Sequence, residues 1–306
     1  QDAQIAEVTH AVSKAFNDFN ASVNAAAEIV QEEFGNPVFA AMVLSGICKS
    51  YDGYAATNGD GKIVGVTFVD VHAKSSGVAS FGPVSSLVPG AGKMTFAAAC
   101  AHAEKLGFST LVLMQVAANS RSFSLYAKLG FEAKHTCQVM GGFLPSSDFS
   151  LPATGTNDLS LTAMTAGDVP ECADLFLAAH GADNGWDKRA DMTGMLAAGI
   201  PFAMLVARDA DGKVAGYSTG FFVSGHQVAV SQDVFCAMFQ ESSRLHQQGG
   251  LPCPRFHCPI EFPGLISWAL GQRLTTFRAT ILMAKGKYEH VWPGSGFIVA
   301  PSIAGW

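Results

Sequence analysis

Residues 115–132 read QVAANSRSFSLYAKLGFE. The apolar run TLVLMQV (110–116) ends here as a strand. Asn119 and Ser120, residue types favoured at helix starts, then open a short helix. Tyr126 lies seven residues after Asn119, and Lys128-Leu129-Gly130-Phe131 turns the chain into a further strand over 134–140.

Just upstream, VPGAGKMT (88–95) separates an apolar stretch from the Ala-rich helical run FAAACAHAEKLGF. A Gly-rich turn between strand and helix offers backbone N–H groups at the helix start to a phosphate. A P-loop needs Gly five positions before its Gly-Lys pair and Ser or Thr after it. Leu87 and Met94 stand there instead. A dinucleotide fingerprint needs a third Gly, and Thr95 occupies its place behind Gly90 and Gly92. The loop fits neither motif.

Taken together, the two segments resemble the GNAT superfamily of acyl-CoA-dependent N-acyltransferases. Residues 115–132 are similar to its motif B, where Asn and Tyr at this spacing precede a Gly-Phe turn. The resemblance implies that Val88 to Lys93 wraps the pyrophosphate of coenzyme A. Ser86, Leu87, Val88, Gly90, Ala91, Gly92, Lys93 and Met94 are then expected at the cofactor, joined by Asn119, Ser122 and Tyr126. Leu87 and Pro89 replace the superfamily's usual Gln and Arg, while Lys93 and the backbone donors remain. The implied donor is acetyl-CoA, and the implied fold is α/β (α+β), a twisted mixed sheet flanked by helices.

The chain also repeats itself. DGKIVG (60–65) is echoed by DGKVAG (211–216), and in both copies Asp-Gly marks a tight turn that opens a strand. FLPSSDFSLPATGTND (143–158) is rich in Pro, Ser, Thr and Gly and reads as a linker. The expectation is an N-terminal unit over 1–144, a linker over 145–158 and a C-terminal unit over 159–306. In the first unit, helices are expected over 6–24, 25–34 and 37–49, and strands over 51–57, 63–71 and 78–87. Asp168 is expected to cap a helix ahead of Pro170. GYSTGFFVSGHQVAVSQD (216–233) and GLISWALGQRL (264–274) resemble the second unit of tandem GNAT proteins, which implies two units packed as a pseudo-dimer within a monomer. In the second unit, QQGGLPCPRFHCPIEFPG (247–264) carries prolines that remove donors, so it is expected to bind no coenzyme A.

The resemblance implies direct attack of an amine on a thioester, with the carbonyl polarised by a backbone N–H of the strand before the loop, here 84–88. Tyr126 either protonates the departing thiolate or packs its helix on the sheet. Asp70 and His72 share a strand face. Either accepts the ammonium proton or caps a surface strand. Gln115 either hydrogen-bonds acceptor or cofactor or is solvated, and His226 is a pocket residue or a core histidine. Phe16 and Phe19, at helical spacing with Val12, line the acceptor pocket or belong to the core. His102 reads as structural.

Composition narrows the partners. A net charge of −6 with no Lys/Arg cluster argues against nucleic acid and anionic membranes. The longest apolar stretches, 111–118 and 200–207, fall far below the ~20 residues of a spanning helix. The start QDAQIAEV has neither a basic n-region nor an apolar h-region, so a cytoplasmic protein is expected. Seven scattered cysteines suit free thiols. Cys253, His257 and Cys258 are soft ligands without a fourth partner, so no metal is expected. The reading is an acetyl-CoA-dependent N-acetyltransferase acting on a primary amine of a small molecule. The alternatives are a catalytically weak acyl-CoA-binding regulatory protein and a scaffold.

Overall fold

The computed structural model describes residues 2–22, 40, 41, 44, 47, 51–71, 77–145, 159–180, 188–199, 204–288 and 297–301. His72 and the expected linker from 146 to 158 lie outside them. So do most of the two helices expected between 25 and 49, of which Ala40, Ala41, Leu44 and Ile47 are described and helical. The described residues form two compact units. Unit one comprises residues up to 134 with 281–288, and unit two comprises 135–280 with 297–301.

In unit one, α1 (Asp2–Ser22) precedes an antiparallel meander of β1 (Asp52–Thr57), β2 (Ile63–Asp70) and β3 (Val78–Ser86). Helix α2 (Ala91–Lys105) leads to β4 (Thr110–Val116), which runs parallel to β3. Helix α3 (Ser120–Lys128) then enters β5 (Glu132–Gly141). Residues 281–286, from the far end of the chain, lie beside β4.

One face of this sheet carries the main core. Val69, Phe81, Leu111 and Leu113 pack with Phe96, Ala99 and Ala103 of α2 and with Tyr126 and Phe131. The small residues of α2 allow close approach: a Cβ added to Gly65 would stand 2.8 Å from that of Ala91. Phe96 is fully buried among the rings of Phe81, Tyr126 and Phe131. Its truncation to Ala would cost about 3–5 kcal/mol. Helix α1 packs against β2 and β3.

In unit two, β6 (Ser160–Ala163) is followed by α4 (Val169–His180), α5 (Arg189–Ala198), β7 (Leu205–Arg208), β8 (Val214–Ser218) and β9 (Gln227–Ala229). Then come α6 (Gln232–Gly249), β10 (Arg255–Pro259), α7 (Pro263–Gly271), β11 (Thr275–Gly286), of which only 275–280 belong to this unit, and β12 (Ile298–Ala300). One sheet has the order β12-β9-β8-β7-β6, and β10 pairs separately with β5. Phe221, Phe235, Phe239 and Phe256 anchor the core. Asp168 directly precedes α4, but its carboxylate accepts from the Thr165 N–H and from Arg208 at 2.8 and 2.7 Å.

The repeated turn is built twice in the same way. Asn58 Oδ1 accepts from the N–H groups of Asp60 and Lys62, and Asp209 Oδ1 accepts from those of Asp211 and Lys213. Gly61 and Gly212 take the left-handed conformation that closes each turn, with φ of 77° and 78°.

Candidate active site

The parallel pair in unit one comes apart. Its ladder joins Val78, Ala79 and Ser80 to Thr110, Leu111 and Val112 and then ends, although β3 continues beside β2 to Ser86. A bulge marks the place: Thr67 opposes Val84 and Val69 opposes Phe81, so Gly82 and Pro83 together face Phe68. Such extra residues bend a strand and re-aim the side chains beyond the bulge. Leu87 donates to the Val64 carbonyl of β2 at 2.7 Å. Because strand N–H groups alternate sides, those of Ser86 and Val84 point away from β2, into the opening.

At the wide end of the opening stands the start of α2. Gly90 is its N-cap, left-handed at φ 91°, with no side-chain cap and no acidic residue in the first turn. Partial positive charge therefore gathers there. Val88, Lys93 and Met94 are exposed, and Leu87 is half-buried. Ala91 N–H reaches the Val88 carbonyl at 3.3 Å. Ser86 Oγ accepts from the Gly92 N–H at 3.1 Å and donates to the Val88 carbonyl at 2.6 Å. One helix-start donor is thus occupied by the protein's own hydroxyl.

The end of β4 and the start of α3 supply the opposite wall. Gln115 is buried, and among the described residues neither atom of its side-chain amide has a hydrogen-bond partner. Asn119 Oδ1 caps α3 by accepting from Ser122 N–H at 3.0 Å. Tyr126, one helix face further on, is buried against Phe96 with ring centroids 4.9 Å apart. Burial raises its pKa above the ordinary tyrosine value, and a hydrogen bond with Ser122 opposes this.

Asp70 ends β2, buried and opposite Ser80. Phe16 and Phe19 are half-buried on α1. A cavity of about 620 Å³ lies along that helix, lined by Thr9, His10, Ser13, Lys14 and Asn17 among others. Neither phenylalanine lines it. His102 is bonded to Asp52 at 3.0 Å, away from the opening. Thr9, Ser13, Ser80 and Ser85 are buried as well, and small hydroxyl residues carry no local sequence signal of burial.

Unit two differs at the corresponding places. Its strand-to-helix turn is Val230-Ser231, leading into α6, and not the Pro-rich segment 247–264 expected from the sequence. That segment forms the end of α6, then β10 and the start of α7, because its prolines sit where strands and helices end. Ser231 Oγ caps α6 by accepting from Val234 N–H, and Asp233 lies in the first turn, a charge that opposes anion binding. Strand β12 runs antiparallel to β9, and His257 Nδ1 of β10 donates to the Pro301 carbonyl at 3.0 Å. A strand therefore stands where unit one has its opening. His257 and Cys258 point to opposite faces of β10. His226 is enclosed by the rings of Phe176 and Tyr217, at 5.7 and 5.4 Å, and its N–H donates to Thr219 Oγ1. Burial, then the charges of Lys188 and His180, hold its pKa well below the ordinary value.

Among the described residues, no helix is long and apolar enough to cross a membrane. No profile of a known protein family and no curated protein matches the sequence. Solved structures do match. A candidate acetyltransferase from Pyrococcus horikoshii superposes with a TM-score of 0.65 at 12% identity, over 92% of this chain and 90% of that one. A tandem GNAT protein from the clavulanic acid biosynthesis pathway gives 0.54 at 13% identity, over 81% and 89% of the two chains. A GCN5-related N-acetyltransferase from Anabaena variabilis gives 0.51 at 13% identity, over 84% and 68%. At these identities the likeness is one of fold. With its parting parallel strands and the helix that starts at their wide end, the chain has the fold of the GCN5-related N-acetyltransferases, two such units in tandem.

Proposed function

We propose that the chain is an acetyl-CoA-dependent N-acetyltransferase acting on a primary amine of a small molecule, with residues 1–144 holding the cofactor. The observation that carries this reading is the three-pair ladder between β3 and β4, which leaves Val84 and Ser86 N–H groups facing an opening beside an acid-free helix start. The residues fit the group. Backbone donors and Lys93 suit a pyrophosphate, and the orphaned Gln115 amide suits an amide-bearing arm.

Acetyl-CoA, when bound, supplies a thioester. The chain's own residues hold that group against β3 and polarise its carbonyl through the Val84 or Ser86 N–H, a preorganised donor that need not reorganise during reaction. Tyr126 donates the proton that the sulfur needs when the C–S bond breaks. Asp70, or His72, takes the proton that the ammonium must lose before its nitrogen can form the new C–N bond. Unit two is read as a cofactor-free partner, supported by β12 beside β9 and by Asp233 at the start of α6.

Calorimetry with acetyl-CoA combined with thiol release over a panel of amines tests the reading. One bound equivalent and amine-dependent thiol release are expected, and no heat with no thermal shift would sink it. A catalytically weak acyl-CoA-binding regulatory protein is the second reading. It is favoured by Ser86 occupying the Gly92 N–H and by apolar Leu87 and Pro89 at the loop. Binding without thiol release would select it.

A further inference from the structure

Thr95 stands where a dinucleotide-binding loop keeps its third glycine, the residue that lets helix and strand approach closely. In this chain the closeness comes from the strand. A Cβ added to Gly65 of β2 would stand 2.8 Å from that of Ala91. Thr67, two residues further along β2, shares the same face. Its Oγ1 lies 2.9 Å from Thr95 Oγ1, with the two residues 0% and 3% exposed. Ser86 of β3, paired with Gly65, accepts from the Gly92 N–H. Gly65, Thr67 and Ser86 thus form a seat for the first turn of α2, meeting Ala91, Thr95 and Gly92 in that order.

The protons of the two threonines have one arrangement that satisfies both. Thr95 Oγ1 lies 3.2 and 3.3 Å from the Ala91 and Gly92 carbonyls, which can only accept. Among the described residues, Thr95 is the one hydrogen-bond partner of the Thr67 hydroxyl. Thr67 therefore donates to Thr95, and Thr95 donates to the carbonyls. Each carbonyl shares a peptide unit with the next residue's N–H, so these two peptides carry the donors of Gly92 and Lys93. Both lie in the first turn, where the helix itself supplies no acceptor. Hydrogen bonds in a chain polarise one another, so a carbonyl that accepts strengthens the N–H at the other end of its peptide.

We propose that Thr67 and Thr95 are positioning residues for the cofactor. The pair fixes the first turn of α2 on β2, and it aims and strengthens the Gly92 and Lys93 N–H groups for the pyrophosphate. Buried under the helix, neither threonine meets the cofactor itself. The inference rests on the acetyl-CoA reading given above. A contact that served packing alone would need only the shape of the two side chains. Valine has that shape without the hydroxyl, and replacing both partners of a buried hydrogen bond by apolar groups of the same shape is nearly neutral for stability. Replacing one partner is not, because the other is left buried and unpaired. Stability and cofactor affinity can therefore be read apart.

The test combines thermal melts with calorimetric titration of acetyl-CoA into the full chain and its variants. Thr95→Val leaves the Thr67 proton without an acceptor and should lower Tm. Thr67→Val/Thr95→Val should return Tm to near that of the parent, yet still bind acetyl-CoA about 3–10-fold more weakly, the worth of about one hydrogen bond. Thr67→Val alone keeps the bonds from Thr95 to its carbonyls and should show a smaller loss in the same direction. Thr67→Ser/Thr95→Ser keeps both hydroxyls and should bind as the parent does. Acetylpantetheine, which carries the thioester without the pyrophosphate, should show the same KM with the parent and with the valine pair. If affinity recovers together with Tm in the valine pair, the threonines only pack and the inference is overturned. It is overturned as well if the KM for acetylpantetheine rises as much as that for acetyl-CoA. Both outcomes leave the cofactor reading standing, whereas a parent that binds no acetyl-CoA refutes the two together.

Discussion

Ser86→Ala separates stability from cofactor affinity in sign. In the free protein, the Ser86 hydroxyl satisfies the Gly92 N–H at 3.1 Å and donates to the Val88 carbonyl at 2.6 Å. Removing it forfeits these two bonds at a half-buried position, about 1–2 kcal/mol. For a unit of this size that lowers Tm by roughly 2–8 °C. A pyrophosphate at the start of α2 competes for the same N–H, and the hydroxyl must release it. The variant offers that donor ready-made, and a charge-assisted bond no longer has to displace a neutral one. The expected gain is about 1 kcal/mol, or roughly fivefold tighter acetyl-CoA. Differential scanning calorimetry gives the first quantity and isothermal titration the second. If affinity falls together with Tm, Ser86 is itself a contact to the cofactor and the competition argument is wrong. If affinity is unchanged, the phosphate does not use the Gly92 donor.

Tyr126→Phe should lower kcat by about 10²-fold or more while leaving the KM for acetyl-CoA unchanged. Stopped-flow thiol release checks this, and an unchanged kcat would reduce Tyr126 to packing. Because burial raises the Tyr126 phenol, loss of activity through its ionisation should begin above the ordinary tyrosine value of about 10. Gly65→Ala puts a methyl 2.8 Å from Ala91 Cβ and 3.2 Å from its carbonyl carbon. Overpacking of this kind costs about 1–3 kcal/mol and shifts the start of α2, so melting temperature and acetyl-CoA affinity should fall together. In unit two, a hydrogen bond from Arg208 holds the Glu171 carboxyl below its ordinary value. Its folded pKa is depressed, so the stabilisation is present above the unfolded value of about 4.3 and is lost as pH falls through the folded one. Urea denaturation of Glu171→Gln should therefore differ from the parent at pH 6 and converge with it at acid pH, with acetyl-CoA binding untouched throughout.

Sequence alone determined the features that depend on near neighbours. Asn119 caps a helix because its side chain reaches an N–H three residues on. The turns at Asn58 and Asp209 repeat because one side chain organises the four residues after it, and Gly90 marks a helix start because only the left-handed conformation fits there. These local bonds place the loop, α2 and α3 in order, and with them the fold. The tertiary structure decided what depends on pairing between distant segments. Residues 281–286 complete a sheet begun some two hundred residues earlier, and β12 stands beside β9, where unit one is open. No local signal marks either partner, because a strand's sequence specifies which face is buried but not which strand lies beside it. The same holds for the candidate site. Thr67 and Thr95 meet only because α2 packs on β2, and the burial of Gln115 depends on what packs around the end of β4. Bonds within a few residues are written in the sequence, whereas the register and burial that bring distant polar groups together arise only when the sheet has formed.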